Sequence, residues 1–410
     1  MAIASTCQSC GLVQRLTDTP RPHDRCVRCD YRLLPRHAAG PWEATLWLLL
    51  LLGSLTLAVF PPFMTFAFAG GANRTRLSDG PLEAIAFGSV VVGGAVLICS
   101  LIAPLLWGLG MLYVTAGLAA GRRGPGAAAV LRLMHGLRPW AMIEVFLLGV
   151  VVTAGKLGHD GQLSYGRGFD LYLAALGFWL IIGQRFSVPH FWERLQPSVP
   201  LPTGEPVPEL AGCQTCGYAQ QLPRVDTDCD LGCVRCGAEL TEDPHGRLRR
   251  CVVLLLLSML LLLPANLVPI MRIAELGPPE PKTVWEGIKV LYFGGSPGLA
   301  LLVFLASLCT PILKVLVLAG LVLWRHPRRA ATARRLAKVH RFIATIGRWS
   351  MVDLFVVALL IGLVRLGGLA SVDPRLGAVA FLAVVVLTIA AAEELNPRIF
   401  WDHTRTQRNR

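Results

Sequence analysis

Of the chain's 410 residues, 54% are hydrophobic and only 16% charged, and the mean hydropathy is +0.55. That balance excludes an ordinary soluble domain, in which about 25% of residues carry charge. The formal net charge of +13 does not point to nucleic acid, because the basic residues crowd into alternate loops between apolar runs, as membrane orientation alone produces.

Residues 1–40 form a polar head in which Cys7, Cys10, Cys26 and Cys29 make two Cys-x-x-Cys pairs. Each pair presents two thiolates to one ion, and two pairs complete a tetrahedron of sulfur around Zn²⁺. Such pairs on the strongly basic, reducing side of a membrane read as metal ligands rather than disulfides. Gly11 allows the tight turn below the metal, and Asp30, at the matching position of the second pair, tolerates it. Iron in a rubredoxin-like site is the rival ion. Four sulfurs leave no open coordination position, so the site is structural. The first apolar run, 46–60, follows this head, and the sequence predicts an uncleaved signal anchor there.

The first membrane module, 41–195, is predicted to hold four spans near 44–67, 97–120, 139–158 and 169–187, with 81–96 as a separate interfacial helix. A Pro-rich segment, 196–210, reads as a semi-rigid linker. A second ribbon, 211–245, repeats the ligand pattern with Cys213, Cys216, Cys233 and Cys236, each pair ending in a glycine, Gly217 or Gly237. The second module, 246–410, is predicted to span near 251–271, 297–324, 349–367 and 376–394, with 285–295 as the counterpart of the interfacial helix. Cys229 breaks the pair spacing and reads as a spare thiol, whereas Cys99, Cys251 and Cys309 in apolar spans read as packing residues.

The halves are an internal repeat. PPFM (61–64) matches VPIM (268–271), SLIAP (100–104) matches SLCTP (307–311), and RPWAMIEVFLLG (138–149) matches GRWSMVDLFVVA (347–358). An even number of spans per half puts both ribbons and the C-terminus on one side. The loops 121–138 and 325–348 are rich in arginine, with Arg122, Arg123, Arg132 and Arg138 in the first and Arg325, Arg328, Arg329, Arg334, Arg335, Arg341 and Arg348 in the second, whereas 159–168 has only Arg167 and 368–375 only Arg375. The ribbons, basic loops and C-terminus are therefore expected in the cytosol, and the two repeats run parallel.

Ionisable groups inside spans default to functional hypotheses. The second module has Lys314 well inside a span, Ser307 two turns away on the same face, and Pro311 between them, which frees the Ser307 carbonyl. Asp353 stands one turn inside the next span with Ser350 on its face, Thr388 lies in the last span, and Asn266 near the far end of the first. Lys314 and Asp353 are expected to pair, as an architectural ion pair or as a proton relay. In the first module Trp107 stands opposite Lys314, Ala141 opposite Ser350 and Val59 opposite Asn266, and only Ser100 and Glu144 keep the polar character of Ser307 and Asp353. Glu144, Lys156 and Arg365 are expected to snorkel to the interfaces. The second module is thus expected to carry the chemistry and the first to act as scaffold.

Two four-cysteine ribbons, the R-x-W-x-M-x-E span, its W-S-M-x-D counterpart and the terminal N-P-R-x-x-W-D (396–402) together make the chain resemble the paraquat-inducible protein A family. That resemblance implies an α-helical polytopic protein of two parallel repeats, each a zinc ribbon plus a tetraspanin-like four-helix transmembrane module. It implies a bacterial inner-membrane partner of a periplasmic MCE-domain tunnel protein, moving membrane lipids between inner and outer membranes with the proton gradient. It also implies a polar network of Ser307, Lys314, Ser350, Asp353 and Thr388. A passive envelope scaffold and a metal- or redox-responsive sensor are the alternatives. No nucleotide loop, HExxH or nucleophile elbow marks the chain as an enzyme or an intrinsic ATPase.

Overall fold

The computed structural model describes residues 3–16, 25–31, 33, 39–68, 71–157, 162–186, 188–196, 210–221, 232–240, 244–275, 280–295, 297–327, 329–363 and 370–401. Cys229, Arg365, Asp402 and nearly all of the Pro-rich linker lie outside those residues.

Each half begins with a ribbon hairpin, β1 (Ile3–Thr6) with β2 (Val13–Leu16), then later β6 (Leu210–Gly212) with β7 (Ala219–Gln221). The first module runs α1 (Pro41–Ala58), β3 (Met64–Phe68), β4 (Gly71–Thr75), α2 (Asp79–Ala86), α3 (Val90–Leu97), α4 (Ala103–Ala119), α5 (Ala127–Leu137), α6 (Ile143–Leu157), β5 (Gln162–Tyr165), α7 (Arg167–Arg185) and α8 (Val188–Leu195). The second runs α9 (Pro244–Leu267), β8 (Met271–Glu275), β9 (Glu280–Lys282), α10 (Val284–Phe293), α11 (Pro297–Val303), α12 (Thr310–Leu323), α13 (Ala330–Ile346), α14 (Val352–Leu363), β10 (Ala370–Pro374) and α15 (Leu376–Glu394). The repeat extends to the small sheets, where β3 is flanked by β4 and β5, and β8 by β9 and β10, all antiparallel.

Among the described residues seven helices are long and apolar enough to cross a membrane, so this is a multi-pass membrane protein. Backbone polar groups in hydrocarbon have no water to bond, which leaves helix as the form these runs can take. The eighth expected span is the helix α7, whose Arg167, Asp170 and Arg185 dilute its apolar character, and it is not among the seven. The basic stretches expected as loops are helical. The helices α5 and α13 continue through 3₁₀ turns, Arg138–Trp140 and Gly347–Met351, into α6 and α14. Charge concealed them: α5 buries Leu131 and Met134, and α13 buries Ala333, Ala337 and Ile343, at helical spacing behind exposed arginines. The expected interfacial helix at 81–96 is only α2, because the span behind it begins at Val90.

That second span carries the same irregularity in both modules. A π-helical turn, Ile98–Ile102, precedes Pro104, and another, Phe304–Cys309, precedes Pro311. Proline removes the N–H that a carbonyl one turn earlier would receive, and a wide turn relieves the misfit.

The modules meet along α6 and α14, where a Cβ on Gly149 would stand 2.9 Å from the Phe355 Cβ. On the β-sheet side α2 lies against α14. A Cβ on Gly80 would come within 2.5 Å of the Ala358 carbonyl oxygen, and Asn73 Nδ2 donates to Gly362 O at 3.0 Å. Gly80→Val should therefore overpack this seam and cost about 1–3 kcal/mol, read as a lower thermal midpoint of the purified protein.

The ribbons are exchanged between the modules. Ribbon 1 docks on the second: Arg334 donates to the Val27 and Arg28 carbonyls at 2.7 and 2.9 Å, Lys338 to Asp30 at 2.9 Å and Arg341 to Cys29 O at 3.2 Å. The Lys338 ammonium is the main reason the Asp30 carboxyl lies below its usual range. Ribbon 2 docks on the first module: Arg132 donates to Cys236 O at 3.1 Å, and Arg235 pairs with Glu193 at 2.6 Å. Arg132 and Arg341 hold the same place in the repeat, 209 residues apart like Trp140 and Trp349. Each thus grips the last cysteine of the ribbon that belongs, in sequence, to the other half. The ribbons also bond to one another, Thr6 N to Gly217 O at 3.0 Å. The terminal segment braces both: in ribbon 2 Asn396 exchanges amide hydrogen bonds with Gln214 and Arg398 donates to Gly212 O at 2.6 Å, and from ribbon 1 the Arg28 guanidinium lies over the Trp401 ring at 5.2 Å.

Candidate metal centres and intramembrane polar site

The ribbon geometry suits a four-sulfur ion. In each ribbon the four Sγ atoms are buried and lie within 4.8 Å of one another. Cys7 and Cys29, and Cys10 and Cys26, stand 3.6 Å apart, and in the second ribbon Cys213–Cys236 and Cys216–Cys233 stand at 3.5 and 3.6 Å. A tetrahedron of Zn–S bonds of about 2.3 Å has edges of about 3.8 Å, so these groups could each hold a metal ion. The turns below them need positive φ, found at Gly11 (67°), Gly217 (76°), Gly237 (69°) and, alone among described non-glycine residues, Asp30 (61°). Thiols so close split their acidities, Cys10 raised by its hydrogen bond with Cys26 and Cys29 lowered by its hydrogen bond with Cys10. A cation is the usual partner of such a set.

In the second module Lys314 is 1% exposed, on α12 just past the π turn. Its Nζ donates to Thr388 Oγ1 on α15 at 2.8 Å and to Gly347 O, at the start of the 3₁₀ turn, at 3.2 Å. Thr388 can accept because its own proton goes to Val385 O at 2.9 Å. The lysine's hydrogen bonds therefore go to a hydroxyl and a carbonyl, not to Asp353 as its place in the sequence suggested. Asp353 stands half-buried in the first turn of α14, and Ser350 is buried in the 3₁₀ turn before it. The hydroxyls of Ser307 and Ser350 are buried and have no hydrogen-bond partner among the described residues. Asn266 donates to Leu262 O of its own helix at 2.8 Å.

The first module solves the same packing differently. At the offset of 209 residues Thr388 corresponds to Trp179 and Gly347 to Arg138. Trp107 and Trp179 stack edge-to-face with centroids 5.0 Å apart, and the Arg138 guanidinium lies over both rings at 5.6 and 6.0 Å. Tyr172, whose counterpart is Phe381, donates to the carbonyl of Ser100 that Pro104 frees, at 2.9 Å. Polar groups of the first module are thus closed by aromatic and tyrosyl partners. Glu144 does not simply snorkel: it faces Arg348 of the second module across the seam at 3.5 Å. Of Lys156 only the backbone, in α6, is described. The stacking role of Arg138, the carbonyl of Gly347 and the pairing of Glu144 with Arg348 are not among the sequence expectations, which place the two arginines in basic loops. The aligned stretch 138–149 with 347–358 contains the signal for all three.

The paraquat-inducible protein A family model matches residues 43–196 and 248–405, one region per membrane module. The chain belongs to the paraquat-inducible protein A family. Among curated relatives, the intermembrane transport protein PqiA of Escherichia coli strain K12 is 29% identical over 380 residues, 92% of this chain and 90% of the relative. The lipophilic envelope-spanning tunnel protein A of the same strain is also 29% identical, over 92% of this chain and 86% of its own. A probable intermembrane transport protein of Haemophilus influenzae is 25% identical over 386 residues, 92% of this chain and 90% of the relative. No solved structure matches. Membership of the paraquat-inducible protein A family accounts for the doubled module, which the family model detects twice.

Proposed function

We propose that this protein is an inner-membrane component of a lipid transport system, working with a periplasmic MCE-domain tunnel protein to move membrane lipids between inner and outer membranes and drawing on the proton gradient. The names of the relatives, intermembrane transport and envelope-spanning tunnel, support the transport class. The observation that carries the coupling is the second module's polar site: a buried ammonium held, among the described residues, by neutral groups, with the hydroxyls of Ser307 in the π turn and Ser350 in the 3₁₀ turn buried and without a partner among those residues. Each unmade hydrogen bond costs about 1–3 kcal/mol. A purely structural core would fill the places of Lys314 and Ser350 as the first module does, with Trp107 and Ala141.

In this reading Ser307, Lys314, Ser350, Asp353 and Thr388 form the proton path. Cys7, Cys10, Cys26 and Cys29, and Cys213, Cys216, Cys233 and Cys236, would hold one structural Zn²⁺ each, which locks the ribbon folds when bound. The units are ribbon 1 (1–40), module 1 (41–195), linker (196–210), ribbon 2 (211–245) and module 2 (246–410), with the ribbons and C-terminus in the cytosol.

The test is transfer of a fluorescent phospholipid from proteoliposomes holding this protein and its tunnel partner to acceptor vesicles. Transfer should rise under an imposed proton gradient and fall when a protonophore collapses it. Transfer at one rate in both conditions would overturn the coupling, and none at all would overturn the transport reading. Orientation is checked separately. A membrane-impermeant maleimide on intact spheroplasts should label Ser164→Cys and spare Ala331→Cys, and the reverse pattern inverts the topology.

A further inference from the structure

We infer that Gly347 is a positioning residue for Lys314, its missing side chain and its carbonyl together holding the ammonium against Thr388. The inference rests on the proposed role of Lys314. Gly347 has φ −53° and ψ −30°, a right-handed helical conformation open to any residue, so the backbone does not require glycine here. Space does. A Cβ would stand 3.0 Å from Lys314 Cε, 3.1 Å from Nζ and 3.8 Å from Cδ, and no other group comes nearer. The carbonyl of the same residue accepts from Nζ at 3.2 Å, with Thr388 Oγ1 at 2.8 Å on the other side.

The first module shows what happens without that glycine. Arg138 fills the position, the cation of the cluster comes from there, and the places of Lys314 and Thr388 are taken by Trp107 and Trp179. A lysine on the second span and a side chain at the 3₁₀ turn are alternative ways to fill one volume. The glycine gives that volume to the lysine, whose flexible end would otherwise be pushed off its two acceptors.

Gly347→Ala separates positioning from stability. The alanine suits the backbone and meets only the movable end of a lysine, so the thermal midpoint should stay at or above wild type. Phospholipid transfer should fall about ten- to a hundredfold, the scale of effect that displacement of a reacting group by about 1 Å produces. A cryo-EM structure of the variant should show Nζ drawn away from Thr388 Oγ1 with the helices unmoved. Gly320→Ala on α12, where a Cβ meets nothing within 4 Å, should transfer normally. Wild-type transfer by Gly347→Ala, while Lys314→Met is inactive, would overturn the positioning role and leave the transport reading intact. Normal transfer by Lys314→Met would instead overturn the reading on which the role rests. A fall in the thermal midpoint of Gly347→Ala that parallels its loss of transfer would also overturn the inference, marking the glycine as structural.

Discussion

Lys314→Met should abolish proton-driven lipid transfer while leaving the thermal midpoint unchanged or higher. The direction of the stability effect follows from the partners. Removing one member of a buried ion pair strands the other charge and costs about 3–5 kcal/mol. Among the described residues Lys314 has no such dependant: its acceptors are the Gly347 carbonyl and a threonine hydroxyl that already donates to Val385 O. Methionine fills a similar volume and removes an ammonium that is costly to bury, about 2.5–3.5 kcal/mol at the centre of a helix by insertion scales. Against this stands the loss of two hydrogen bonds to charge, so the balance lies near zero or on the stabilising side. The checks are differential scanning fluorimetry in detergent beside vesicle transfer. A variant that unfolds early would return Lys314 to an architectural role, and one that transfers lipid would remove it from the proton path.

The second large effect is on metal. Replacing Cys213 and Cys216 together by Ser should lower zinc, measured by plasma emission on purified protein, from about two to about one per chain. Structural zinc supplies about 10–16 kcal/mol to small ribbons, far more than such a hairpin can recover from its own core. Ribbon 2 should then lose its fold. Because it is held by Arg132 and Glu193 of the first module and by Asn396 and Arg398 of the terminal segment, protease sensitivity should appear at α8 and at the terminal segment rather than at α9, which follows the ribbon in sequence. A folded protein that retains two zinc ions, or one that never held any, would end this reading.

The sequence carried the ribbons and most spans because both are written in local spacing. Four cysteines at fixed intervals and a positive-φ residue after each pair leave little choice, and Asp30 takes the one non-glycine position as expected. Basic helices were less legible. Charge counted over 121–138 and 325–348 marks these segments as basic, but the buried stripe of Ala333, Ala337 and Ile343 is short and weakly apolar. The partners of Lys314 are not legible in the sequence, where charge complementarity points to Asp353 and geometry selects Gly347 O and Thr388 Oγ1. The 3₁₀ turn brings the Gly347 carbonyl to Nζ, which no pattern of side-chain types reveals. The exchange of ribbons is likewise out of reach, since Arg132 and Arg341 look like any other arginines of a basic segment.

That exchange says what kind of ancestor suits this chain. A half-length polypeptide whose ribbon docks on another copy's module would form a closed isologous homodimer, in which Arg132 and Arg341 are one residue seen twice. Duplication and fusion through the Pro-rich segment would preserve each contact while ending the obligation to carry identical side chains on both sides. A lysine at one of the two matched positions would, in a homodimer, be a lysine at both, with two ammonium groups to bury. The continuous chain buries one, Lys314, and closes the other place with Trp107. Fusion thereby lets a two-fold body evolve a single-sided interior.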